Sequence, residues 1–115
     1  MRYRVSKVAA QDLDEIFVYW AERASLEVAD RLIEGITDRF WLLGEYPNAG
    51  RSVDHIAAGV KCFPAGNYLI YYRKGRRATE ILHIFHGARD QKHAFGEAGR
   101  PASGSRRSEK NKITT

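Results

Sequence analysis

From residue 2 to residue 8 polar and apolar side chains alternate, with Tyr3 and Val5 on one side and Arg2, Arg4 and Ser6 on the other. That period of two predicts a half-buried strand. Near residue 9 the period lengthens. Leu13, Ile16, Phe17, Trp20 and Ala24 fall at i, i+3, i+4, i+7 and i+11, a spacing that gathers side chains on one helical face. A first helix is therefore read over 9–23. Asp12, Asp14 and Glu15 lie near its start, where the positive end of the helix dipole favours acids. Ser25 is placed to cap a second helix, because its hydroxyl can accept from a free backbone N–H. Ala29, Leu32, Ile33, Ile36, Phe40 and Leu43 mark the apolar stripe of that helix. Gly35 costs its interior about 1 kcal/mol relative to Ala and is read as permitting close approach to the first helix. Gly44 is read as the C-terminal cap, and Pro47 prevents continuation. A joint of only a few residues around Ala24 and Ser25 makes the pair an antiparallel hairpin.

Residues 46–58 hold Pro47, Asn48, Gly50, Ser52 and Asp54, all turn formers, and read as a loop. Three short strands follow, over 59–63, 67–73 and 79–86. Pro64, Ala65, Gly66 and Asn67 supply the first turn between them. Lys74, Gly75, Arg76 and Arg77 supply the second, which is tipped with positive charge. In the last strand Ile81, His83 and Phe85 share one face, opposite Leu82, Ile84 and His86. The segment 89–95 reads as one or two helical turns or an ordered arm. From residue 96 onward Gly, Ser, Pro, Arg and Lys dominate, with Ile113 the only bulky apolar side chain. Residues 96–115 are read as a flexible basic tail and 1–95 as the folded domain. The order strand, helix, helix, strand, strand, strand predicts an α+β fold, a helical hairpin packed on a mainly antiparallel four-stranded sheet.

Length and composition narrow the class. A chain of 115 residues with 43% hydrophobic content is one domain with material for a core. Its single cysteine, Cys62, excludes an intrachain disulfide and a Cys-rich zinc module. The longest apolar run, 16–21, is far short of the roughly 20 residues of a membrane span, and no apolar leader segment is visible at the N-terminus. A cytoplasmic protein without a membrane partner is expected. The net charge of +5 is unevenly placed: residues 1–45 carry six basic and nine acidic groups, and residues 46–95 carry eight and three. A basic second half attracts nucleic acid or an acidic protein segment.

The ordered set of residues resembles the RelE/ParE superfamily of bacterial toxins from type II toxin–antitoxin systems. It runs through Val5-Ser6, Ala10, Asp12-Leu13, Ile16 and Tyr19, then Ala29, Ile33, Ile36 and Leu43. Pro47, Gly50-Arg51, Tyr68, Ile70, Tyr72-Arg73, Ile81, Ile84, His86 and Arg89-Asp90 complete it. Pro-x-x-Gly-Arg between helix and sheet, and His-x-x-Arg-Asp after the last strand, carry most of the specificity. The resemblance covers about residues 3–95. It implies a growth inhibitor neutralised by a cognate antitoxin protein, with no cofactor and no metal. It also implies one of two activities. RelE-like members cut messenger RNA at the ribosome, whereas ParE-like members inhibit DNA gyrase.

Ribonuclease chemistry without a metal needs a base, an acid and cations that stabilise charge on phosphorus. By resemblance Arg73 and Arg89 take the places of two nuclease arginines. His86 and His93 titrate near neutral pH and would be the proton-transfer groups. Phe95 stands where such nucleases carry a tyrosine, no tyrosine follows Tyr72, and Lys61 is the only lysine on the early strands. These departures favour the ParE-like branch, with DNA gyrase bound by a surface of Arg73, Arg76, Arg77, Arg89 and Lys92. The ribosome and its messenger are the alternative target, and an antitoxin-binding module without target activity is the third reading. Tyr68, Tyr71 and Tyr72 are read as core rather than as base-stacking side chains. His83, His86 and His93 have no Cys or carboxylate companion that would complete a metal site.

Overall fold

The computed structural model describes residues 2–87. Strand β1 (Tyr3–Val5) leads into helix α1 (Lys7–Arg23), which turns back through helix α2 (Leu26–Glu45). Four strands follow: β2 (Arg51–Ser52), β3 (Val60–Ala65), β4 (Tyr68–Lys74) and β5 (Thr79–His86). They form one five-stranded sheet in the order β1-β5-β4-β3-β2. β1 runs parallel to β5, and every other neighbour is antiparallel. The α+β architecture matches the sequence reading, with one strand more than expected. Arg51 and Ser52, read as loop, pair with Cys62 and Lys61. The segment 89–95 and the tail 96–115 lie outside the described residues.

Both helices start on a serine. Ser6 Oγ accepts from the Ala9 N–H (3.0 Å) and Ser25 Oγ from the Val28 N–H (3.1 Å), satisfying amides that the first helical turn leaves without partners. Ser6 thus belongs to the helix start rather than to a strand reaching residue 8. Its hydroxyl also donates to the Leu82 carbonyl of β5 at 3.0 Å. α2 ends on Tyr46, whose N–H bonds to the Leu42 carbonyl (2.7 Å), and not on Gly44. Gly44 serves packing instead: a Cβ there would sit 3.2 Å from the Arg2 carbonyl carbon, where the chain enters β1. A Cβ at Gly35 would meet nothing within 4 Å, so that glycine does not mediate a close helix approach.

The helices cover one face of the sheet. Ala9, Ile16, Ile36, Phe40 and Leu43 pack there against Ala65, Tyr68, Ile70, Tyr72, Ile81 and Ile84. The other face carries a smaller cluster of Val53, Val60, Cys62 and Tyr71, joined by Ile56, Ala57, Leu69, Leu82 and Phe85. Tyr68, Tyr71 and Tyr72 are buried, as core tyrosines should be. The expected grouping of Ile81, His83 and Phe85 on one face does not hold. Tyr71 pairs with His83 but Tyr72 with Ile81, so Leu82 is an extra residue on β5. This bulge reverses the alternation, sending Ile81 and Ile84 to the helices and Leu82 and Phe85 to the opposite cluster. The first late turn is also tighter than expected. Pro64 and Ala65 pair with Leu69 and Tyr68, leaving Gly66 (φ 63) and Asn67 as the turn. Pro64 is tolerated in β3 because β2 stops at Cys62, so the outer edge there has no ladder to interrupt.

Candidate functional site

The hairpin between β4 and β5 gathers the basic residues. Arg73 lies opposite Glu80, and Glu80 lies opposite Arg4 of β1. Direct cross-strand partners project to the same face of a sheet, and Arg73 also pairs with Val60, a member of the cluster away from the helices. The row Arg4, Glu80, Arg73 therefore lies on the face opposite the helical layer. Arg73 Nε donates to Glu80 Oε1 at 2.7 Å. The pair is solvent-exposed on the arginine side, and exposed pairs of this kind contribute about 0–1 kcal/mol. Beyond it the turn closes with the Gly75 N–H donating to the Ala78 carbonyl (2.9 Å). A cleft of about 450 Å³ opens at this end of the sheet, lined by Arg4, Arg76, Arg77, Ala78 and Glu80. Arg4 comes from the opposite end of the described chain, and no local sequence signal links it to the hairpin.

His86 stands elsewhere. It is exposed at the far end of β5, paired with Tyr68 and edge-on to the Tyr68 ring with centroids 5.2 Å apart. Arg73 pairs with Glu80 and Tyr68 with His86, so the steps from 68 to 73 along β4, which has no extra residue, set the separation. At about 3.3 Å per residue that is about 17 Å. The sheet does not bring Arg73 and His86 to one reacting phosphate. Arg89, Lys92, His93 and Phe95 lie outside the described residues. Among the described residues no group of three His, Cys, Asp or Glu side chains is placed to hold a metal ion.

Two motif segments serve the scaffold. Tyr72 Oη donates to the Pro47 carbonyl and accepts the Gly50 N–H, each at 2.8 Å. A Cβ on Gly50 would lie 2.7 Å from that oxygen and 2.6 Å from the Cys62 carbonyl. The Pro-x-x-Gly spacing thus fastens the exit of α2 to the middle of the sheet, and only glycine fits at its last position. Burial pushes the Tyr72 phenol up from its ordinary range, with the Gly50 N–H pulling the other way. Burial likewise raises the Cys62 thiol, and the neighbouring Arg51 opposes the shift. Asp54 lies well solvated at the start of the next turn, where the Gly59 N–H (2.8 Å) and then Ser52 hold its carboxyl below the usual range.

Asp12 is the second fastening. Its Oδ2 accepts the Ile84 N–H at 3.0 Å and faces His83 Nδ1 at 3.3 Å. β1 ends at Val5, opposite Ile81, so β5 has no strand neighbour on that side beyond this point. Ser6 takes the Leu82 carbonyl and Asp12 the Ile84 amide in place of a ladder. Trp20 Nε1 donates to Tyr68 Oη (2.8 Å) further along the same helix. The sequence marked Asp12 as an acid near the helix start and as part of the family resemblance, but not as a fastening to β5, because its partner lies 72 residues away.

The architecture, a helical hairpin on one face of this sheet, is the one that the resemblance implies. A family model described as the ParE toxin of the type II toxin–antitoxin system parDE matches residues 3–91. The chain is 30% identical to Toxin ParE1 of Caulobacter vibrioides over 84 residues, 73% of this chain and 86% of that protein. It is 24% identical to Toxin ParE1 of Mycobacterium tuberculosis over 90 residues, 77% of this chain and 92% of the relative. Among solved structures, a chain of the chromosomal ParDE system from P. aeruginosa superimposes with a TM-score of 0.68 at 21% identity. That overlap covers 76% of this chain and 96% of the other. The chain belongs to the ParE toxin family of type II toxin–antitoxin systems. Among the described residues, no helix is long and apolar enough to cross a membrane.

Proposed function

We propose that this ParE-family toxin arrests growth by binding DNA gyrase in the cytoplasm, and that a cognate antitoxin neutralises it by covering exposed apolar and basic surface. The observation that carries the gyrase reading is the separation of Arg73 from His86 by about 17 Å of strand. That separation supports reading the basic residues of the β4–β5 hairpin as a charged binding end rather than as part of a proton-transfer pair around one phosphate. Arg73, Arg76 and Arg77, joined by Arg4, make that end, and Arg89 and Lys92 are proposed to extend it. Charge of one sign on a surface steers an oppositely charged target and fixes its register. Exposed Trp41, Leu42 and Tyr46 at the end of α2 supply apolar area of the kind a partner covers. Induced expression without antitoxin tests the reading. Filamentation with DNA-damage signalling supports it, rapid arrest of translation with messenger cleavage replaces it with the ribosome-dependent nuclease, and unimpaired growth leaves only an antitoxin-binding module.

A further inference from the structure

The cleft at the β4–β5 hairpin draws its arginines from two distant parts of the chain. Parallel pairing of β1 with β5 sets Arg4 beside Glu80, and the turn adds Arg76 and Arg77. Among the described residues, Glu80 is the one acid that lines the cleft, and Arg73 already holds it at 2.7 Å. Among the described residues, Arg4, Arg76 and Arg77 therefore form no ion pair. Three permanent charges so placed, beside a single carboxylate that Arg73 already engages, favour a ligand that brings its own negative charge.

Guanidinium forks match carboxylate and phosphate equally well, so the lining decides between them. Among the described residues, Ala78 is the only apolar one that lines the cleft. Charge at this end can steer gyrase, but inside the cleft itself an acidic protein segment would find no pocket for an apolar anchor, and such anchors supply most of the energy of protein–protein contacts. A nucleic-acid backbone needs no such anchor, because phosphate contacts alone position and hold it. We propose that this cleft grips backbone phosphates of duplex DNA, so that the toxin touches the DNA as well as the enzyme handling it. This deepens the gyrase reading and rests on it for the choice of DNA as the nucleic acid. Contacts to phosphate carry no base information, so binding is independent of sequence and steeply dependent on salt.

The test uses the full chain, a fluorescently labelled DNA duplex and anisotropy titrations over a series of salt concentrations. The variant is Arg4→Gln, Arg76→Gln and Arg77→Gln together. The control is Arg31→Gln with Arg39→Gln on α2, and circular dichroism checks that each protein is folded. The cleft variant is expected to bind at least tenfold more weakly at low salt. Its log–log salt slope should be shallower by about 0.9 for every phosphate it no longer neutralises, while the control stays within twofold of wild type. Equal affinity and slope for wild type and cleft variant overturn the proposal, as does undetectable binding of wild type at low salt. A single-stranded RNA of equal length bound more tightly, and released by the same variant, overturns the choice of duplex DNA. Supercoiling assays separate the two readings. Loss of gyrase inhibition in the cleft variant with DNA binding unchanged refutes the phosphate site and leaves gyrase as target. Cleft-dependent DNA binding by a protein that does not inhibit gyrase refutes the gyrase reading and leaves the phosphate site.

Discussion

Replacing Tyr72 by Phe removes one oxygen from a fully buried ring and separates α2 from the sheet at a single point. That oxygen makes two hydrogen bonds, to the Pro47 carbonyl and from the Gly50 N–H, both 2.8 Å long. A net value of about 1 kcal/mol for each gives a loss of about 2 kcal/mol. Pro47 and Gly50 are only half-buried, so water can reach the orphaned groups, and the larger penalty of a sealed donor or acceptor does not apply. In a domain of this size about 2 kcal/mol lowers Tm by roughly 8–16 °C. Urea denaturation followed by circular dichroism measures the change, with Tyr46→Phe as the control because Tyr46 is 67% exposed. Gly50→Ala should destabilise by a comparable amount, about 1–3 kcal/mol for a side chain forced into filled space. Combining it with Tyr72→Phe should cost less than the sum, because one of the three clashing atoms is then gone. A Tyr72→Phe protein within about 0.5 kcal/mol of wild type, an uncertainty typical of such comparisons, would refute this role for the Pro-x-x-Gly motif.

Other outcomes follow from the same architecture. Arg73→Ala should leave stability within about 1 kcal/mol, since its partner Glu80 is reached across exposed surface, yet reduce toxicity in a growth assay. His86→Gln with His93→Gln should leave toxicity intact, and loss of toxicity with loss of messenger cleavage in that double variant would restore the nuclease reading. Antitoxin affinity should fall as salt rises, because residues 46–95 carry eight basic and three acidic groups; calorimetry showing equal affinity at low and high salt would contradict this. Stability should decline above about pH 8.5, the range in which an unfolded thiol begins to ionise. Burial raises both the Cys62 thiol and the Tyr72 phenol, so the folded chain keeps protons that the unfolded chain releases, and rising pH favours unfolding. The decline should be shallower in Cys62→Ala, read from urea midpoints across pH, and an identical profile would count against it.

Period and punctuation in the sequence located both helices, the Ser25 cap, the bounds of β5 and the order of elements. These features are local: a stripe at 3.6 residues or an alternation at 2 reads out one face of one element. The failures share a different origin. β2 is two residues long, too short for any period, and exists because Cys62 and Lys61 offer it an edge. The Leu82 bulge depends on how β4 lies beside β5, so Ile81 and Ile84 share a face despite their spacing. Gly44 resembles a helix stop, but the nearness of Arg2 is what requires it to be small. At the basic end Arg76 and Arg77 were legible from the turn that carries them. Arg4 was not, because parallel pairing across most of the chain brings it there.

The most direct test of the account is a supercoiling assay with purified DNA gyrase, relaxed plasmid and this toxin. The account predicts inhibition at near-stoichiometric toxin, reversal by the cognate antitoxin, and weaker inhibition by Arg73→Ala. Full gyrase activity in a large excess of folded toxin, together with cleavage of ribosome-bound messenger by the same preparation, would contradict it.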